Sequence, residues 1–170
     1  MLGLPITLPE IAPRISAGAF ILNSGLGKRN VPAEAAAGMH GFAVGTYPFL
    51  RSVPPEQFVK GLSTAEIVIG GALLTPFVPT AVAGALLTGF SGGLLGLYVK
   101  TPGMRKEGSV FPTEQGLSLA KDSWLVGIGI GLMTRGLIER RPRVTVKKAA
   151  KQAKRAAKDA RREAKAAARS

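Results

Sequence analysis

Cysteine is absent from the 170 residues, and histidine occurs once, at position 40. No disulfide, thiolate metal site or redox thiol can form within the chain, so any electron transfer needs a bound cofactor or a partner subunit. A single histidine cannot build a multi-histidine metal site, and no carboxylate cluster surrounds it. A surface or packing role for His40 therefore outweighs a ligand role, and no metal is expected. A phosphate-cradling loop and a Ser/His/Asp set are also missing. Gly127-Ile128-Gly129-Ile130-Gly131 lacks the final spacing of a dinucleotide fingerprint and follows no strand, so soluble hydrolase or nucleotide chemistry has nothing to carry it.

Charge is scarce as well. Charged residues make up 19% of the chain against 46% hydrophobic, and none occurs between Glu66 and Lys100. That run is too long for one crossing, since a helix needs about 20 apolar residues to span a bilayer core. Pro76 and Pro79 divide it. Proline removes a backbone donor and pushes the preceding residue out of the helical region, so the pair predicts a reversal between two antiparallel helices. The competing reading is a buried hairpin in a soluble core, but such a core rarely carries a run charged only at its ends. With 22 glycines, close contact between membrane helices is also expected.

The start of the chain, to residue 12, lacks a positive charge, which argues against a cleavable signal peptide. Four spans are predicted, at about 9–27, 56–75, 79–99 and 115–138. Prolines stand near the first turn of the first two, and Tyr98 and Lys100 mark an interface at the end of the third. The stretch 33–50 holds Glu34, His40 and Pro48, which disfavour a crossing, and reads as a short interfacial helix; a fifth span is the alternative. Gly92-x-x-x-Gly96 and Gly127-x-x-x-Gly131 are the candidate helix-packing grooves.

Basic charge is concentrated at the end. Residues 1–140 hold 11 Lys/Arg against 8 Asp/Glu, and residues 141–170 hold 12 against 2. The expected organisation is a transmembrane domain over 1–140 and a basic, Ala/Lys/Arg-rich helical tail over 141–170. Lys and Arg near a span end stay in the cytoplasm, which places both termini of a four-span inner-membrane protein there. Cations in the two outer loops run against this assignment, but the tail is denser. The tail is read as a solvated cationic helix or as a contact for anionic lipid. Nucleic acid ranks last, because no aromatics are interleaved to stack on bases.

Arg14 followed by small and apolar residues to Gly25-Leu26-Gly27-Lys28, then Ala65-Glu66 with Gly70-Gly71-Ala72-Leu73-Leu74, a proline-bounded turn and a Gly-rich third helix resemble the DoxX family of small four-helix bacterial membrane proteins. The likeness covers about residues 10–138. Gly38-Met39-His40-Gly41 and Lys100-Thr101-Pro102-Gly103-Met104-Arg105 are similar to loops of its uncharacterised actinobacterial-type members. The family takes its name from a subunit of a thiosulfate:quinone oxidoreductase, and some relatives are linked to oxidative-stress and thiol homeostasis. The resemblance implies an accessory subunit in quinone-linked or oxidative-stress redox chemistry, with quinone as the possible cofactor and partner subunits supplying electrons.

Glu66 is the sharpest candidate for function, being about ten residues from each end of its predicted helix. A charge at mid-bilayer costs a few kcal/mol unless neutralised or paired. The expected partners are Arg14, Lys121 or Asp122, with Asn23 or Ser91 as hydrogen-bonding alternatives. Lys121 and Asp122 read as interfacial anchors in contact with the first or second span. The functional expectation is a lipid-side pocket around Glu66, Arg14 and Asn23 that binds a quinol hydroxyl or relays a proton. The rival is a non-catalytic scaffold or small-molecule carrier, in which the same polar residues only tie an all-α four-helix membrane bundle together.

Overall fold

In the computed structural model, which describes residues 7–138, every regular element is helical. The order is α1 (Leu8–Gly27), α2 (Ala33–Thr46), a 3-10 turn (Pro48–Ser52), α3 (Pro55–Leu74), α4 (Thr80–Lys100), α5 (Leu117–Ala120) and α6 (Asp122–Ile138). The predicted basic tail lies outside the described residues. The chain divides into two compact units between Thr134 and Arg135, and the geometry that follows belongs to the first.

Local chemistry sets the helix ends. α1 starts with Pro9 in its first turn, and the Thr7 N–H donates to the Glu10 carboxylate at 3.0 Å. α3 opens on Pro55 with Glu56 beside it, a carboxylate at the positive end of the helix dipole, and stops at Leu74 before Thr75-Pro76. α4 begins directly after Pro79. Among the described residues, α3 and α4 are the helices long and apolar enough to cross a membrane. α2, at 14 residues, falls short of the roughly 20 a crossing needs. The predicted last span is split: α5 ends at Ala120 and α6 restarts at Asp122, whose carboxylate occupies its first turn.

α1 and α3 run antiparallel in close contact. Gly25 faces Ser63 and Glu66, and Gly18 faces Gly70 and Leu73. The core joins Ala17 and Ile21 of α1, Ile69 and Leu73 of α3, Ala83 and Leu87 of α4, and Leu132 of α6. His40 fills a packing role, its Nε2 lying 3.0 Å from the Leu50 carbonyl and its ring edge-on to Phe58.

The glycine grooves differ from those expected. A Cβ added at Gly92, Gly127 or Gly131 would meet nothing within 4 Å, and one at Gly96 would meet only the Tyr47 side chain. The close approach of α4 and α6 is made instead by Gly84 and Gly129. A Cβ on Gly84 would lie 2.7 Å from the Gly129 carbonyl oxygen, and one on Gly129 would lie 2.8 Å from the Thr88 nitrogen. A glycine-rich helix offers several small-residue faces at four-residue spacing, and only the packing selects one.

Candidate functional site

Two polar clusters lie along α1, and each is built from residues four apart on one helix face. The first uses Glu10 and Arg14, both almost wholly buried. All five N–H groups of Arg14 are used. Nε donates to the Leu73 carbonyl at 2.9 Å, Nη2 to those of Ala72 at 2.9 Å and Thr75 at 2.7 Å, and Nη1 to the Val78 carbonyl at 3.1 Å and the Thr80 hydroxyl at 3.2 Å. The Thr80 hydroxyl in turn donates to Glu10 at 2.8 Å. Arg14 thus supplies donors for the Ala72 and Leu73 carbonyls that the last turn of α3 leaves open and for those of Thr75 and Val78 in the turn beyond it, and Glu10 stands at the start of α4. Each charge opposes the nearer helix dipole.

The second cluster centres on Glu66. Lys28 Nζ lies 3.0 and 2.9 Å from its two carboxylate oxygens and 2.6 Å from the Ser24 hydroxyl. Ser24 donates to the same carboxylate at 3.3 Å. The Glu66 side chain is 5% exposed and that of Lys28 20%, so the pair is sheltered with one edge open. Gly25 makes the contact possible, because a Cβ there would fall 2.8 Å from the Glu66 Cβ. Ser63, one turn before Glu66, donates to the Gly25 carbonyl at 2.7 Å. Replacing Ser63 with Ala removes that bond and is expected to lower stability by about 1 kcal/mol, read as a small drop in the unfolding midpoint. Asp122 at the head of α6 lies within long-range electrostatic reach of Glu66 and Lys28 but forms no ion pair with either among the described residues.

The predicted pocket around Glu66, Arg14 and Asn23 is therefore not assembled. Arg14 is committed to the α3–α4 turn, fourteen residues before Lys28 and roughly 21 Å away along α1. Asn23 is exposed on α1, Lys121 is exposed, and Ser91 donates back to Leu87 of its own helix at 2.6 Å. Among the described residues, none of the anticipated partners forms a hydrogen bond or ion pair with Glu66; Asp122 feels its charge only at longer range. Lys28, Ser24, Glu10 and Thr80 were not anticipated as site residues. The signal for the first two was present in the spacing of Ser24, Gly25 and Lys28: two polar residues one turn apart, with a glycine that admits the facing helix. For Glu10 the signal was its four-residue offset from Arg14.

Lys28 also borders a cavity of about 240 Å³ beyond the end of α1, lined by the start of α2 and the first turns of α3. No family model, curated protein or solved structure matches the chain.

Proposed function

We propose that the chain is a multi-pass inner-membrane protein with both termini in the cytoplasm, acting as an accessory subunit in quinone-linked or oxidative-stress redox chemistry. Its ligand- and proton-handling group is the Lys28–Glu66 pair, with Asp122 in longer electrostatic range. Membrane placement is supported by the length and apolarity of α3 and α4, and by how little of each is covered: 33% of either apolar window is buried. Ile15 and Phe20 extend the uncovered apolar surface onto α1, and Ile130 extends it onto α6. Water-soluble monomers rarely present that much contiguous apolar surface, whereas lipid solvates it without cost.

The observation that carries the site is a mismatch of charge. The Lys28 ammonium is taken up by Glu66, and the Asp122 carboxylate within longer electrostatic range has no ion-pair partner among the described residues, so a proton, or a ligand that donates a hydrogen bond, would complete the balance. A quinol hydroxyl has that property, and the DoxX resemblance supplies the redox context. Electrons come from a partner, since the chain has no cysteine.

The scaffold reading is favoured by one observation, the complete use of Arg14 in holding the α3–α4 turn. Comparing Glu66→Gln and Asp122→Asn in detergent separates the two. The redox reading expects quinone binding to fall at least about tenfold, or ~1.4 kcal/mol, with the thermal midpoint nearly unchanged in Asp122→Asn. If no quinone binds to the parent protein and both substitutions only shift the midpoint, the cluster is structural.

A further inference from the structure

The cavity at the end of α1 has a chemistry of its own. Lys28, Arg29 and Lys60 line it, with Glu56 as the one acidic residue, giving three cations to one anion around about 240 Å³. Among the described residues, neither Arg29 nor Lys60 has a carboxylate at ion-pair distance, and Lys28 is the only one of the three that does. The remaining wall is short and apolar: Val31, Ala36 and Val59. The first turn of α2 contributes as well, since its cap Pro32 offers no side-chain acceptor to the free N–H groups there. Like charges gathered around a concavity repel one another and are relieved by an anion.

We infer that this cavity binds a phosphate group, held by Arg29 and Lys60 and shared with Lys28, with its substituent lying against Val31 and Val59. Arginine matches phosphate oxygens with a planar fork, and lysine adds point charge, so the pair suits phosphate better than a smaller anion. The apolar wall suits a phosphate carrying a carbon substituent. The inference does not require quinone binding and stands apart from the redox reading.

Lys28 links the cavity to Glu66, because one ammonium group serves both. A phosphate in the cavity competes with the Glu66 carboxylate for Lys28. Removing the carboxylate charge therefore frees Lys28 and strengthens phosphate binding. A cluster of unrelated surface cations would not give that sign.

The test uses the full chain in a neutral detergent. Inorganic phosphate is titrated and followed by phosphorus NMR, and retention of phosphatidylglycerol over phosphatidylcholine is counted by native mass spectrometry. With each cation near an anionic group contributing about a fivefold factor, the Arg29→Gln/Lys60→Gln double variant should weaken binding roughly 25-fold. Glu66→Gln should tighten it several-fold, and Arg105→Gln/Lys106→Gln, on a different loop, should leave it unchanged. Retention of phosphatidylglycerol that phosphate displaces identifies a lipid headgroup as the occupant, and saturable phosphate binding without lipid preference identifies a soluble phosphate. Binding that is absent in the parent, equal in the Arg29/Lys60 variant, or weakened by Glu66→Gln overturns the proposal. Each variant is compared only where its thermal midpoint in detergent stays close to the parent's, and Ser24→Ala, which weakens the same carboxylate's hold, serves in place of Glu66→Gln if that variant is unstable.

Discussion

Replacing Arg14 with Met is expected to cost about 3–5 kcal/mol of stability, the largest effect of any single substitution considered for this protein. The methionine fills a similar volume but donates nothing. Four carbonyls and the Thr80 hydroxyl lose their charged donor, and Glu10 is left buried beside an apolar side chain. Hydrogen bonds to charged groups are worth about 1.5–3 kcal/mol each when broken singly. They share one side chain and do not add, so the cost of breaking one buried charged network sets the scale. Since small domains are stable by only about 5–15 kcal/mol, the variant should unfold at markedly lower temperature or denaturant in detergent. Arg14→Lys keeps the charge but not the planar fork, and should fall between the two. The double substitution Glu10→Gln/Arg14→Met should be less damaging than Arg14→Met alone, because it also removes the negative charge that Arg14 balances. An Arg14→Met protein as stable as the parent would show that the turn holds itself together without the guanidinium.

The second large effect lies at the seam between α4 and α6. Gly84→Leu places a branched side chain where even a Cβ meets backbone atoms, including the Gly129 carbonyl oxygen at 2.7 Å and the Leu132 carbonyl carbon at 2.9 Å. Flexible side chains can move aside, but these are main-chain atoms of a helix, so α6 must be displaced. Overpacking costs about 1–3 kcal/mol when the surroundings adjust, and the rigid contact here puts Gly84→Leu at or above the upper end. Gly84→Ala should already be destabilising. Gly92→Ala and Gly127→Ala add a methyl group into open space, and they should be neutral or slightly stabilising because alanine is the better helix former by ~1 kcal/mol. Unfolding midpoints for the four variants provide the check. Equal losses at Gly84 and Gly92 would mean that the seam is elsewhere.

These two sites also mark what could be read without coordinates. The helical class, the proline-bounded reversal and most helix ends follow from local rules: an uncharged run of defined length, prolines that stop or start helices, and polar loops between them. Such signals survive in sequence because they act over a turn or two of chain. Glu66 could be singled out on the same basis, as an acidic residue in apolar surroundings with an energetic need for a partner. The identity of that partner could not. Arg14 was one of the expected partners, yet carbonyls at and just beyond the end of α3 bind it.

Spacing on α1 determined more than its composition suggests, since Glu10 with Arg14 and Ser24 with Lys28 each share a face one turn apart. Which end of α3 each pair would meet depended on the antiparallel register of α1 and α3, fixed by glycines 18, 25 and 70. The choice among glycine faces and the cavity between the ends of α1, α2 and α3 were likewise settled by packing. The physical reason is common to all of them. Helix formation is a local transaction within the backbone, whereas pairing a buried charge or choosing a groove compares surfaces that are distant in the chain and meet only when the helices are assembled.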